Sequence, residues 1–221
     1  YMNNKINLII DFDSTFIKVE TIEILADFSL SNQNNKIQIL NQIKDITNKA
    51  MAGDIPFSEA LDKRIQLINP TINDINKTIK FLKSQISTSF LNNKDFFKSY
   101  NKNCFIISGG FKEIIIPLVA DFNISEKHIY ANTFIYNNNR IYIDKTNPLS
   151  QNNGKNLIAK NISGDNIIIG DGYTDYEVKK DGNAKKFIQF TENINRKSLN
   201  NKADFISNDF KKIISYIDND I

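Results

Sequence analysis

Two aspartates directly follow an apolar run in the segment INLIIDFDST, at positions 11 and 13. In a β-strand the side chains of residues i and i+2 point to the same side, so Asp11 and Asp13 should face one point while Phe12 turns away. Two neighbouring carboxylates repel each other and raise each other's pKa. Such a pair is unfavourable unless a cation lies beside it or the two groups perform chemistry. The spacing therefore predicts a metal-binding or reactive centre.

Two further apolar runs end in residue types that handle phosphate or metal. NCFIISGGFKEII places Ser108 and Gly109 before a helical pattern, where a hydroxyl and backbone N–H groups can hold an anion. DNIIIGDGYTDYEV ends in Asp171 and Asp175, and Mg²⁺ prefers carboxylate ligands together with substrate phosphate oxygens. Lys155, in NNGKNLIAK, supplies a cation near another helix start. Each signal alone is weak, but their order along the chain indicates a site for phosphate and magnesium.

The elements that must position these residues alternate between strands and helices. Continuous apolar runs of four or five residues are typical of parallel strands that are buried on both faces. Helical patterns between the runs predict an α/β fold with a Rossmann-like core and a mainly parallel sheet. The segment ANTFIYNNNRIYID shows two alternating runs around an Asn-rich turn and predicts a hairpin.

Residues 18–88 interrupt this alternation, because they carry helical patterns only. The simplest interpretation is a small all-helical cap inserted after the first strand, with residues 1–17 and 89–221 forming the catalytic core. In doubly wound sheets, ligands bind beyond the carboxyl ends of the strands. We therefore expect the cap to stand over the site and to select the substrate.

Composition excludes several classes of function. The chain has 221 residues, 41% hydrophobic and 24% charged, with a net charge of +3, as expected for a soluble globular protein. One cysteine (Cys104) excludes an internal disulfide and a multi-cysteine metal site, and one histidine (His128) without a nucleophile-elbow pattern disfavours a Ser-His-Asp triad. No basic stripe, transmembrane-length apolar stretch or signal-peptide pattern is present. We expect a cytoplasmic monomer or homodimer that binds neither nucleic acid nor membranes.

The four segments together resemble the signature motifs of the haloacid dehalogenase (HAD) superfamily. DFDST is similar to the first motif, Ser108 to the second, Lys155 to the third and GDGYTD to the fourth. The resemblance implies a Mg²⁺-dependent phosphatase that forms an aspartyl-phosphate. It implies that Asp11 is the nucleophile and Asp13 the general acid and base, while Lys155, Ser108 and Gly109 bind the phosphoryl oxygens. The implied metal-binding residues are Asp11, Asp13, Asp171 and Asp175.

One cap helix carries an arginine in an unusual position. In FSEALDKRIQLI, Phe57, Leu61, Arg64 and Ile68 are spaced by four, three and four residues, which puts Arg64 within an apolar stripe. A bidentate clamp for a substrate carboxylate is one interpretation. The alternative is an arginine that extends to solvent or pairs with an acid inside the cap.

The stretch MAGDIPFSEALDKRIQLI also resembles the cap segment of the phosphoserine phosphatases. This resemblance implies a pocket formed by Met51, Phe57 and Arg64, with Glu20 meeting the substrate ammonium group and Thr174 adding a further contact. A zwitterionic amino acid needs one anion and one cation to hold it. The implied reaction converts L-phosphoserine to L-serine and phosphate, so the expected partner is a small, amino-acid-like phosphorylated metabolite.

Two departures from that family keep other substrates open. Tyr173 replaces a small residue, and SQNNGK, before Lys155, is richer in asparagine than the usual glycine-rich run. The alternatives are a HAD phosphatase, or a phosphotransferase, that acts on another small phosphomonoester. A receiver-like phospho-acceptor module is a rival of another class, but such modules lack an acid two residues after the acceptor and have no helical cap. A dinucleotide-binding protein is disfavoured because no GxGxxG follows the first strand.

Overall fold

The computed structural model describes residues 6–52, 54–138 and 140–220, and for residues 51, 52 and 220 the backbone alone. Six parallel strands form one sheet in the order β3-β2-β1-β6-β7-β8, and β4 and β5 form an antiparallel hairpin. The strands are β1 (Ile6–Ile10), β2 (Cys104–Phe111), β3 (Ile129–Asn132), β4 (Phe134–Asn137), β5 (Arg140–Ile143), β6 (Asp165–Gly170), β7 (Lys186–Phe190) and β8 (Phe205–Ser207). The predicted parallel α/β core and the predicted hairpin are both confirmed.

Ten helices surround the sheet among the described residues. They are α1 (Thr21–Ser29), α2 (Lys36–Ala52), α3 (Phe57–Ile68), α4 (Ile72–Leu82), α5 (Thr88–Asn92), α6 (Lys94–Tyr100), α7 (Lys112–Val119), α8 (Gly154–Ala159), α9 (Tyr173–Lys180) and α10 (Phe210–Asp220). Helices α1–α4 follow one another between β1 and β2. The assignment of residues 18–88 to a separate cap domain stays a prediction. Within the described ranges, no helix combines the length and hydropathy needed for a bilayer span.

The central strands bury both of their faces, as their continuous apolar runs predicted. In β1, Leu8 and Ile10 pack into the larger hydrophobic cluster, while Ile9 packs into the smaller cluster on the other face. In β6, Ile167 packs into the larger cluster and Ile168 into the smaller one. Helices therefore cover both faces of the sheet, and the free carboxyl ends of the strands form the edge at which a site can be built.

The chain changes direction in a turn after β1 that aromatic packing anchors. The side chain of Phe16 lies at the end of this turn, with its ring centroid 4.9 Å from that of Phe90 and 4.9 Å from that of Phe122. Phe12, at the start of the turn, stacks on Phe16 with centroids 5.8 Å apart. Burial of these large rings stabilises a turn whose polar residues must face the opposite way, toward the site.

Candidate active site

The first pair of carboxylates lies at the carboxyl end of β1, between β2 and β6, where the strand order reverses. The Asp11 N–H donates to the Ile169 carbonyl on β6 (2.9 Å), and the Asp11 side chain accepts from the Phe12 N–H (2.8 Å). The turn that follows holds Ser14 at a φ of 55°, which is strained for a residue with a side chain. The Ser14 hydroxyl donates to Glu20 Oε1 (2.6 Å). The turn thus links the first motif to Glu20.

Three carboxylates from two strand ends meet in one cluster. Asp11, Asp171 and Asp175 each offer an oxygen within 4.8 Å of the others. Asp175 reaches the cluster because Gly170 has no side chain, since a Cβ there would lie 2.2 Å from Asp175 Cγ. An all-oxygen set of three acids fits a metal ion that prefers carboxylate ligands. Asp11, Asp171 and Asp175 could therefore hold a metal ion.

Lys155 binds two members of this carboxylate cluster. Its Nζ lies 2.8 Å from Asp11 Oδ1 and 2.6 Å from Asp175 Oδ1. Burial lowers the pKa of Lys155, but the charges of Asp11 and Asp175 outweigh burial and raise it above its ordinary value. Burial, followed by the Asp11 charge, raises the pKa of Asp175 to about 8. Burial and the Asp11 charge also raise the pKa of Asp171. The ionised carboxylates of this cluster are therefore unfavourable, because they are buried and repel one another. A bound cation would stabilise their ionised forms.

Asp13 occupies a different position from Asp11. Its Oδ1 accepts hydrogen bonds from the Thr21 N–H (3.0 Å) and the Thr21 hydroxyl, at the start of α1. Burial raises the pKa of Asp13 well above its usual range, and the charges of Glu20 and Asp11 add to this effect. A carboxyl group whose pKa is raised is better suited to donating a proton to a leaving group. Thr21 binds one oxygen of the Asp13 carboxylate, and the expected role of Asp13 as a metal ligand stays a prediction.

Residues 108–110, at the carboxyl end of β2, also line the site. Ser108 is buried, and its Oγ accepts a hydrogen bond from the Gly110 N–H (2.9 Å). The ring of Phe57, from α3, covers Gly109 so closely that a Cβ on Gly109 would lie 3.2 Å from Phe57 Cζ. A residue of α3 thus lies against the segment predicted to bind phosphate.

Arg64 and Glu20 bring two opposite charges to the same site. Arg64 is 8% exposed; its Nε donates to the Ala60 carbonyl (3.1 Å) and its Nη1 to Thr47 Oγ1 (3.4 Å). It forms no ion pair within the described ranges, and burial lowers its pKa. Burial raises the pKa of Glu20, whose Oε1 accepts from Ser14. Arg64 is a buried cation on which the charges of Glu20 and Asp13 act, but it makes no direct ion pair among the described residues.

The predicted residues line one cavity of about 860 Å³. Those that it brings together are Asp11, Asp13, Glu20, Phe57, Arg64, Ser108, Gly109, Lys155, Asp171 and Thr174. Asp175 is fully buried behind this wall, with Lys155 between it and Asp11. The side chain of Met51 lies outside the described residues.

Tyr173, which departs from the family pattern, lies at the rim of this cavity. Tyr173 is 45% exposed, and its ring packs beside Tyr176 with centroids 5.7 Å apart. Lys202 Nζ lies 5.0 Å from the centroid of the Tyr173 ring. Tyr173 thus lines the cavity with a ring that is partly exposed to solvent.

Sequence reasoning missed the short loop of residues 191–196. Arg196 Nε donates to Asp171 Oδ2 (2.8 Å), and the Arg196 side chain lines the cavity. Asn193 Nδ2 lies within 3.3 Å of the carbonyl oxygens of Ser14, Thr15 and Ile17, and 2.8 Å from Ser87 Oγ. Asn193 thus binds both chain segments that connect the helical insertion to the core. No local signal marks this residue in so Asn-rich a chain, although an arginine shortly after a buried strand could have drawn attention to Arg196.

Asn132 was also missed. It ends β3, and its Nδ2 donates to the Gly109 carbonyl (2.9 Å), in the segment predicted to bind phosphate. The local sequence, ANTF, reads as the start of a hairpin and gives no indication of that contact.

Comparisons with known proteins find relatives by sequence and by fold. The phosphoserine phosphatase of Drosophila melanogaster is 31% identical over 212 residues, which cover 92% of this chain and 75% of the relative. A phosphoserine phosphohydrolase-like protein from Francisella tularensis superposes with a TM-score of 0.83 at 31% identity, covering 96% of this chain and all of that chain.

A substrate-bound phosphoserine phosphatase complex superposes with a TM-score of 0.72 at 24% identity, covering 97% of this chain and 99% of that chain, and supports the fold alone. No family model matches the chain. Relatives at 31% identity nevertheless span most of both sequences, and the residues of all four motifs meet at one strand edge. This chain is therefore a HAD-superfamily phosphatase that belongs to the phosphoserine phosphatase family.

Proposed function

We propose that this phosphatase hydrolyses L-phosphoserine to L-serine and inorganic phosphate, that it requires Mg²⁺, and that Asp11 transiently carries the phosphoryl group. The observation that carries the proposal is the joint presence of Glu20 and Arg64 in the cavity that contains Asp11. Phosphoserine brings an ammonium group, a carboxylate and a phosphate to those residues. The relatives' names support the same substrate.

The first half of the reaction transfers the phosphoryl group to the protein. An Asp11 carboxylate oxygen attacks phosphorus, and the bond between phosphorus and the serine oxygen breaks. Asp13, whose pKa burial raises, gives its proton to the departing alkoxide, so that neutral serine hydroxyl leaves. Lys155 and the Ser108 hydroxyl donate to the phosphoryl oxygens as charge develops on them. Bound at Asp11, Asp171 and Asp175, Mg²⁺ would neutralise part of the charge on the phosphate and on the attacking carboxylate.

The second half regenerates the carboxylate. Asp13, now ionised, accepts a proton from a water molecule, whose oxygen attacks the phosphorus of the aspartyl-phosphate. The bond between phosphorus and the Asp11 oxygen breaks, and inorganic phosphate leaves. Asp13 is thereby protonated again, and the cycle is balanced in protons.

Substrate selection belongs to the helical segment 18–88 in this proposal, which acts as a cap over the core. Arg64 binds the substrate carboxylate in a bidentate manner, and Glu20 binds the ammonium group. Phe57 closes the cavity over Gly109, and Thr174 also lines it; contact of Met51 with the substrate stays a prediction from the sequence. The cytoplasmic location and the monomeric or dimeric state stay predictions from the sequence.

A phosphate-release screen over small phosphomonoesters tests the proposal. The informative set is L-phosphoserine, phosphoethanolamine, which lacks the carboxylate, and 3-phosphoglycerate, in which a hydroxyl replaces the amine. We expect L-phosphoserine to have the highest kcat/KM, activity to disappear with EDTA, and excess Mg²⁺ to restore it. A preference for either analogue would refute the proposed substrate, and activity that survives chelation would refute the metal requirement.

The same screen separates the alternatives. Many equivalents of phosphate per protein indicate an enzyme, whereas one equivalent or less indicates a phospho-acceptor module. A second alcohol such as glycerol, added at high concentration, would accumulate as its phosphate ester if the protein were a phosphotransferase.

A further inference from the structure

Asn132 lies outside the four motifs, yet it contacts the segment predicted to bind phosphate. It is the last residue of β3 and is 0% exposed, so its amide is fully removed from solvent. Its Nδ2 donates to the Gly109 carbonyl (2.9 Å), whereas its Oδ1 has no hydrogen-bond partner among the described residues. A buried acceptor without a donor lowers stability. This residue is therefore poorly explained by stability alone.

The pairing of β2 with β3 explains why Gly109 needs a side-chain partner. The register pairs Ile107 with Tyr130 and resumes at Phe111 with Asn132, so that residues 108–110 have no partner in β3. On the other side, the register of β1 against β2 ends at Ile10 and Ile106. Such an irregularity frees backbone groups of the bulged strand from the ladder. The Asn132 amide donates to the Gly109 carbonyl, which the interrupted ladder leaves without a backbone donor from β3.

The Gly109–Gly110 peptide plane transmits this contact into the site. In a trans peptide the C=O of one residue and the N–H of the next point in opposite directions. With the Gly109 carbonyl held by Asn132, the Gly110 N–H points to the other side, where it donates to Ser108 Oγ (2.9 Å). A hydroxyl that already accepts one hydrogen bond keeps its own proton for a different partner. The Ser108 proton is thereby left to donate to a phosphoryl oxygen.

We propose that Asn132 is a positioning residue for phosphate binding: through the Gly109–Gly110 peptide it orients the Ser108 hydroxyl toward the phosphoryl group. This inference rests on the proposed role of Ser108 in the phosphatase reaction. Because Asn132 acts where the phosphate group binds, loss of its contact lowers kcat/KM by the same factor for every phosphomonoester, whichever organic group the ester carries.

The test compares Asn132→Asp with a matched control, Asn166→Asp. Aspartate keeps the shape of asparagine but turns an acceptor toward the Gly109 carbonyl. Asn166 is also a buried asparagine that donates to backbone carbonyls, those of Ile162 and Asn183 (3.1 Å each), but it lies near the start of β6, at the opposite end of that strand from Asp171. Three quantities are measured for each protein: the inhibition constant of inorganic phosphate, kcat/KM for both L-phosphoserine and p-nitrophenyl phosphate, and the thermal midpoint.

We expect Asn132→Asp to raise the inhibition constant of phosphate about tenfold, the factor that corresponds to one hydrogen bond of ~1.4 kcal/mol. It should lower kcat/KM for both substrates by the same factor, which we expect to be at least about tenfold. Asn166→Asp should lower the thermal midpoint without changing the phosphate constant. A phosphate constant within twofold of the wild-type value, or an effect on L-phosphoserine alone, would overturn the inference.

A second variant and a second substrate keep the inference testable. If Asn132→Asp does not fold, Asn132→Ser, whose short side chain cannot reach the Gly109 carbonyl, is judged by the same criteria. If the wild-type protein fails to hydrolyse L-phosphoserine, the proposed substrate is wrong, but phosphate inhibition of p-nitrophenyl phosphate hydrolysis still tests Asn132.

Discussion

Replacement of Arg64 by methionine separates substrate binding from structural support. The guanidinium is 8% exposed and makes two hydrogen bonds to neutral oxygens. Truncating one partner of a buried, hydrogen-bonded charge pair costs about 2–5 kcal/mol. If a substrate carboxylate is that partner, Arg64→Met should lower kcat/KM for L-phosphoserine by about 3 kcal/mol, or roughly a hundredfold. p-Nitrophenyl phosphate has no carboxylate, so its kcat/KM should stay within about threefold.

The same substitution should leave the unligated protein at least as stable as the wild type. Methionine fills a similar length with apolar atoms and removes a buried cation that has no ion-pair partner in the described part of the chain. The Thr47 hydroxyl keeps a hydrogen-bond partner after the substitution, since it still donates to the Ile43 carbonyl (3.0 Å). Denaturant unfolding without ligand should therefore give an equal or larger free energy of unfolding.

Lys63→Met is the matched control on the same helix. Lys63 is exposed and pairs with Glu59 (2.6 Å) in an i,i+4 arrangement, which is worth about 0.5 kcal/mol. Lys63→Met should leave kcat/KM unchanged for both substrates. Equal losses on both substrates for Arg64→Met, or destabilisation by about 3–5 kcal/mol, would refute the clamp and indicate an arginine that pairs within the cap.

Three further substitutions test contacts around the site. Lys155→Met leaves Asp11 and Asp175 without their shared cation, so kcat for every phosphomonoester should fall by a factor on the order of 10² at saturating Mg²⁺. Gly170→Ala places a Cβ 2.2 Å from Asp175 Cγ. It should raise the Mg²⁺ concentration for half-maximal rate by about tenfold, and an unchanged metal titration would contradict the placement of Asp175. Asn193→Ala removes the donor shared by the two connecting segments. Hydrogen exchange should therefore become about tenfold faster at the Lys18 and Ser87 amides, which bond to Gln85 and Phe16, and equal rates would show that Asn193 does not hold them.

The fold and the principal reactive residues could be predicted because their signals are local. Leu8 to Ile10 form an unbroken apolar run, and such a run demands burial on both faces of a sheet. Parallel strands bring their carboxyl ends to one edge, so Asp11 and Asp171 had to meet if the strands were adjacent, and they do. The burial of Arg64 likewise followed from the four-three-four spacing of its apolar neighbours.

The residues that were missed act over long sequence separations. Asn132 contacts a carbonyl 23 residues away, and Asn193 contacts carbonyls 176 to 179 residues away. An asparagine that serves such a contact looks the same in sequence as one in a solvent-exposed turn, since only the tertiary fold supplies its acceptor. Because asparagine is frequent throughout this chain, composition does not single out Asn132 or Asn193 either.

The surroundings of the Asp13 carboxylate also could not be predicted from the sequence. The i, i+2 rule holds within a strand, but β1 ends at Ile10 and a turn with a left-handed Ser14 follows. The turn brings the Asp13 carboxylate to the Thr21 N–H at the start of α1, while Asp13 and Asp11 still line the same cavity. Two acids that are close in sequence thus acquire different surroundings, which is the condition for giving them different tasks.

The covalent role of Asp11 is the claim that all the chemistry requires, and rapid acid quench during turnover tests it most directly. The protein is mixed with L-phosphoserine and Mg²⁺, quenched within one turnover, and its peptides are analysed by mass spectrometry. We predict one added phosphoryl group on the peptide that contains Asp11, absent from Asp11→Asn and from samples quenched in EDTA. Sustained phosphate release with no phosphoryl group on Asp11, or with one on another residue, would contradict the proposed mechanism.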